Sequence, residues 1–239
     1  QTLDAFSCEP FHNLVQHIAV TRDGASFAGK RVGGDEEPDF FAGTDRWFRP
    51  VMTRTGPDGG LWVADMYRYM IEHPDWLPDA GKNEMKAHER KGENFGRIYR
   101  VFPKSKPPRQ IPRLDKASSE ELVESLANPN GIIRDLAHRL LVERKAILVT
   151  DELTQMALMH DSPQARLHAL CVLDGIYRLH IKTLRAAFSD PHPEVRRNLL
   201  RLAETRWEED PELQAEANKF LKDPNPAVRF QAACSLATS

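Results

Sequence analysis

Asp190-Pro191-His192-Pro193-Glu194-Val195-Arg196 and Asp223-Pro224-Asn225-Pro226-Ala227-Val228-Arg229 are two copies of one phrase. Asn128-Pro129-Asn130-Gly131-Ile132-Ile133-Arg134 and Asp161-Ser162-Pro163-Gln164-Ala165-Arg166 are two more, the latter one residue short at its turn. In each, an Asp or Asn ends one helix, a turn containing proline follows, and an Arg falls in the first turn or two of the next helix. The four Arg are 32, 30 and 33 residues apart. A recurring unit of that length holding two helices is the signature of an α-solenoid. The apolar spacing agrees. Ile133, Leu136, Leu140 and Leu141 make one face, and Val195, Leu199, Leu202 and Ala203 make another. Ser118-Ser119-Glu120-Glu121 reads as a capping box that opens the first helix. The column of equivalent Arg is expected to be structural, each pairing with an Asp of a neighbouring turn. The other histidines of this half, His138, His160, His168, His180 and His192, show no ligand spacing.

The composition changes near residue 104. Lys104 to Pro112 is a basic, proline-rich linker. Before it lie most of the aromatics and the Gly-Gly and Gly-Pro clusters, and the chain reads as β-structure. Leu14 to Thr21 and Ala25 to Val32 form a hairpin around Asp23-Gly24. Pro50 to Thr55 and Leu61 to Met66 flank Gly56-Pro57-Asp58-Gly59-Gly60, a strong turn signal. Phe95 to Phe102 is a fifth strand. Tyr67 to Lys91 is a long polar insertion, and a connection of that length is usually functional.

The balance of 33 Lys+Arg against 35 Asp+Glu excludes a strongly basic nucleic-acid binder, and 41 % hydrophobic residues exclude a disordered tail. The apolar runs are too short to cross a bilayer. Cys8, Cys171 and Cys234 form neither C-x-x-C nor any metal pattern. A start at Gln1 suits a secreted protein with its signal removed, and equally an excised fragment. Val228, Ala232, Ala233 and Leu236 give the last helix an apolar face without a polar cap, so the repeats are expected to be cut there.

Glu9-Pro10-Phe11-His12-Asn13-Leu14-Val15, Trp47-Phe48-Arg49-Pro50-Val51, Gly56-Pro57-Asp58-Gly59, Leu61-Trp62-Val63-Ala64-Asp65-Met66-Tyr67-Arg68, Ile71-Glu72-His73-Pro74 and Gly96-Arg97-Ile98-Tyr99-Arg100 occur in this order. Together they resemble the membrane-bound dehydrogenase-type proteins of planctomycetes and related bacteria, which are similar in turn to sorbosone and soluble glucose dehydrogenases. The helical unit resembles HEAT-like repeats. In that family a β-propeller is followed by HEAT-like repeats and then a cytochrome c module carrying C-x-x-C-H. The resemblance therefore implies a mixed, two-domain chain: part of an antiparallel β-propeller over 1–103, a linker over 104–116, and an all-α HEAT-like solenoid over 117–239. Haem c would belong to a module this chain lacks, because no C-x-x-C-H occurs in it. Pyrroloquinoline quinone and calcium stay open as cofactors.

The same resemblance directs attention to particular residues. Asp65, Tyr67 and Arg68 fall where a propeller strand would run out into a loop. A carboxylate, a phenol and a guanidinium there suit a sugar hydroxyl or a quinone carboxylate. The alternative is that Asp65 and Arg68 cap turns or pair with each other. His12 and His73 are the candidate general bases, since oxidising an alcohol or hydrated aldehyde needs a base near neutral pH. The alternative for each is a loop histidine bonded to backbone. Arg49 is a candidate for an anionic group, while Trp47-Phe48 reads as core. Glu72 and Trp76 join the candidate binding surface. Glu9, Glu72 and Asp65 are conceivable calcium ligands, but no dense Asp/Asn/Gly loop is present and no metal site is assigned.

The functional expectation is a fragment of a periplasmic or cell-envelope dehydrogenase, acting on a sugar, alcohol or aldehyde and passing electrons to a cytochrome c. The alternative is a non-catalytic glycan- or protein-binding propeller with the helical repeats as a docking arm. No nucleic-acid partner and no transmembrane segment are expected.

Overall fold

The computed structural model describes residues 3–34, 36–71 and 73–237. The chain divides into two compact units, with the boundary between Gln110 and Ile111.

Among the described residues the N-terminal unit holds seven strands in two antiparallel sheets. The first contains β1 (Leu3–Glu9), β2 (Leu14–Asp23), β3 (Ser26–Arg31) and the short β4 (Phe41–Ala42), with β2 central. The second runs β5 (Pro50–Thr55), β6 (Leu61–Asp65), β7 (Arg97–Val101). The five expected strands all form. The two additional ones, β1 and β4, both pair with β2, and β1 does so over its full length from Leu3↔Val20 to Glu9↔Leu14. LDAFSCE is too polar to announce a strand. It is one because it pairs with β2 along its whole length and because β1 also lies against β5, where Thr53 Oγ1 donates to the Phe6 carbonyl at 3.0 Å. Alternation along the strands aims Val15, Phe41, Val63 and Tyr99 inward with Phe48. Val15 and Val63 are fully buried, and the Phe41, Phe48 and Tyr99 rings meet edge-on at 5.3–5.7 Å. The buried Asp58 holds the Gly56–Gly60 turn by accepting from Gly60 N, Trp62 Nε1 and Arg100 Nε.

This arrangement corrects the propeller expectation. A propeller repeats four-stranded blades around a channel. Here one four-stranded and one three-stranded sheet meet through β1 and β5, and among the described residues no closed propeller forms. The strand segments were legible, but their grouping depends on β1, which the sequence pattern did not show. The long insertion is not bare loop either. It carries a 3-10 turn at Pro74–Trp76 and α1 (Asp79–Met85).

The second unit is helical. Its pairs are α2 (Ser119–Ser125) with α3 (Gly131–Glu143), α4 (Thr150–Met159) with α5 (Pro163–Gly175), α6 (Ile181–Ala187) with α7 (Pro193–Ala203), and α8 (Pro211–Ala217) with α9 (Pro226–Leu236). Helices α3, α5, α7 and α9 stack in that order, and α2, α4 and α6 form a second row. One continuous core runs through them, including Leu122, Leu141, Leu170, Leu199 and Val228 at 0 % exposure. The unit begins earlier than residue 117. Leu114 belongs to its core, and the Arg144 guanidinium donates to the carbonyls of Leu114, Asp115 and Ala117. The capping box at Ser118 and Glu121 is formed.

The repeated phrase folds the same way four times. Nη1 of Arg134, Arg166, Arg196 and Arg229 donates back to the carbonyls five and six residues earlier, at 2.7–3.1 Å. Two of these Arg also reach the next turn, as expected. Arg166 grips Asp190 at 2.6 and 2.8 Å, and Arg196 grips Asp223 at 2.8 and 3.0 Å. Arg134 makes no such bond, and its Nε is buried without a partner. The missing residue in the second turn explains this. The position six before the ladder Arg is Asp190, Asp223 and Asn128 in the other turns, but His160 in the second.

Candidate functional site

Asp65 ends β6 facing the interior and is 3 % exposed. Its Oδ1 accepts the backbone N–H of Arg49 and of Tyr67, both at 2.8 Å. The second bond folds the chain back at once and leaves Tyr67 in the left-handed region at φ 50°. The segment after it stays paired: Arg68 N donates to the Trp47 carbonyl at 3.1 Å, and Tyr69 N to that of Lys91 at 3.2 Å. Gly92 (φ +94°) is required here, because a Cβ would run into the Tyr67 carbonyl oxygen.

These bonds gather an aromatic surface. Trp47 lies 5.7 Å from both Tyr67 and Tyr69, Tyr69 lies 5.0 Å from the His88 ring, and Tyr67 meets Phe95 edge-on at 6.4 Å. The Arg97 guanidinium sits 3.9 Å over the Tyr67 ring. The same residues and their neighbours include polar atoms with nothing to bond. Asp65 Oδ2, Arg68 Nη1 and His88 Nδ1 are buried and unpartnered, and among the described residues every such side-chain atom of the N-terminal unit belongs to this region. Buried polar groups are nearly always paired, so each of these orphans calls for an explanation, and a bound ligand is one.

The sequence candidates divide. Arg49, Asp65, Tyr67 and Arg68 are brought together. Arg49 acts as a clamp: its guanidinium donates to the carbonyls of Pro10, Phe11, Arg68 and Tyr69 at 2.9–3.3 Å. Four backbone acceptors leave it little capacity for an anion. His12, in the turn held by that clamp, has a side chain 67 % exposed, with Nδ1 3.8 Å from Glu9 Oε1. His73 is 61 % exposed, its Nδ1 accepts from Asp75 N at 3.3 Å, and its ring lies 5.9 Å from Trp76, which is 85 % exposed. Neither histidine lies in an enclosed site. Glu72 lies outside the described residues. Tyr69, His88, Phe95 and Arg97 were missed. Tyr67-x-Tyr69 was the available local signal, while the other three come from positions up to thirty residues away.

A second feature of this unit is an apolar depression of about 400 Å³ lined by Phe6, Phe40, Leu61, Val101 and Phe102 among others. No sequence candidate lines it. Among the described residues no three of His, Cys, Asp and Glu converge as a metal site. No helix there is long and apolar enough to cross a membrane.

Residues 1–105 match the family model of a domain of unknown function, DUF7133. The match ends five residues before the boundary of the β unit. No curated protein matches the chain.

Proposed function

We propose that the N-terminal unit is a binding module for a polyhydroxylated ligand of the carbohydrate class, with the helical unit as a scaffold that makes protein contacts. The observation that carries this reading is the pairing of an aromatic surface, Trp47, Tyr67 and Tyr69, with the unpartnered Asp65 Oδ2, Arg68 Nη1 and His88 Nδ1. Sugar rings stack on aromatic faces, while carboxylate and guanidinium groups bond the hydroxyls. The family resemblance would place such a module in the periplasm or cell envelope. The dehydrogenase reading is less well supported. It needs a general base held against substrate, and His12 and His73 stand in solvent on separate turns.

Titration of the full chain with neutral and acidic oligosaccharides, followed by calorimetry and tryptophan fluorescence, tests the proposal. Saturable binding that is lost in Trp47→Ala and Tyr69→Ala, with the far-UV circular dichroism unchanged, is the expected result. No binding across the panel, or binding indifferent to both changes, overturns it. Dye-linked turnover of a sugar or alcohol after addition of pyrroloquinoline quinone and calcium would reinstate the catalytic reading.

A further inference from the structure

His138 on α3 and His168 on α5 lie outside the site just described. Their Nδ1 atoms are 3.2 Å apart, with the rings edge-on at 82°. They come from neighbouring helices of one row, 30 residues apart, which is one repeat length. Two imidazole nitrogens bound to one tetrahedral metal at 2.0–2.1 Å stand about 3.3 Å from each other, so this pair already has a chelating separation. The other nitrogen of His168, Nε2, faces Asp135 Oδ1 at 3.8 Å. At that distance the carboxylate makes no hydrogen bond to the ring, but it is close enough to accept the Nε2–H through a small side-chain shift, which would leave Nδ1 free to coordinate. Beside the pair is an open depression of about 400 Å³ lined by Asp135, His138, Arg139, Val142 and Glu143.

We propose that His138 and His168 form a two-imidazole site for a borderline divalent transition-metal ion, bridging the first two helix pairs. Imidazole suits Cu²⁺, Ni²⁺ and Zn²⁺, and Cu²⁺ should bind tightest. No third protein ligand converges there among the described residues, so water from the depression completes the coordination. Arg134 and Arg139 on α3 oppose a cation, and Asp135 and Glu143 on the same helix offset them. A metal that binds the folded unit and ties α3 to α5 must raise its melting temperature. The competing account is a plain hydrogen bond between the two rings.

The test is titration of the full chain with CuCl₂, NiCl₂ and ZnCl₂ in a non-chelating buffer, read by calorimetry, thermal melting and, for copper, electron paramagnetic resonance. One Cu²⁺ per chain with two-nitrogen hyperfine structure and a raised melting temperature is expected. His138→Ala and His168→Ala should each remove that equivalent and the thermal shift, whereas the exposed His180→Ala should keep both. His168→Gln, which keeps most of the side-chain volume, guards against loss through misfolding and should behave as His168→Ala does. Survival of the copper equivalent in His138→Ala or His168→Gln overturns the proposal, and so does a wild-type chain whose melting temperature copper leaves unchanged.

Discussion

Replacing His160 with Asp is expected to stabilise the helical unit by about 1–2 kcal/mol. Asp190 and Asp223 each do two things. Each accepts the N–H two residues on, His192 at 2.7 Å and Asn225 at 2.8 Å, and each receives both edge donors of an Arg from the preceding pair. His160 does only the first, with Nδ1 accepting from Ser162 N at 3.0 Å. Arg134 is thereby left with a buried, unbonded Nε. An Asp at 160 keeps the turn bond and gives Arg134 a carboxylate. Hydrogen bonds to charged groups contribute roughly 1.5–3 kcal/mol, but burying the new carboxylate offsets part of that. The desolvation of Arg134 is already incurred, so a net gain of about 1–2 kcal/mol remains. For a unit of this size each kcal/mol raises the melting temperature by roughly 3–5 °C. Thermal melting followed at 222 nm reads the shift, and a double-mutant cycle with Arg134→Ala assigns it. A gain that persists in the Arg134→Ala background, or no gain at all, would refute the ladder reasoning.

The inverse change should be larger. Asp190→Ala strips its partner from Arg166, whose side chain is only 9 % exposed, and should cost about 3–5 kcal/mol in chemical denaturation. Tyr177, two residues beyond the end of α5, has φ 59° and is 90 % exposed, so Tyr177→Gly should relieve left-handed strain and raise stability by about 0.5–1 kcal/mol; a lower melting temperature would contradict this. Burial alone would raise the Asp223 carboxyl, but the Arg196 bonds and the Asn225 N–H outweigh it and hold it below the ordinary carboxylate value. Its contribution is therefore fully present at neutral pH and is lost as pH falls below about 4. Asp223→Asn should flatten that part of the stability–pH curve, and an unchanged acid slope would show that Asp223 is not the group responsible.

The helical half was legible because its signals are local. A proline turn, a cap and an Arg within seven residues recur at one repeat length, and each copy folds by bonds to its own neighbours, such as Arg196 to the carbonyls of Asp190 and Pro191. The inter-turn pairs could be anticipated but not counted, since only register showed His160 standing where Asp was needed. In the β half the strands with alternating or β-branched residues were legible, and LDAFSCE was not, because its strand character comes from pairing with β2. Asp65, Tyr67 and Arg68 were visible as a run of chemistry-bearing residues. Whether they meet His88, Phe95 and Arg97 was not.

The sequence by itself determined the elements whose energy is local: caps, turns, amphipathic faces, and the repeat that stacks them. Only the tertiary structure decided the grouping of the strands, the use of Arg49 as a backbone clamp, and the approach of His138 to His168. Each of these is a contact between residues far apart in the chain. Such contacts are set by which surfaces can be buried together and which polar groups find partners, and neither property belongs to a residue or to its neighbours in sequence.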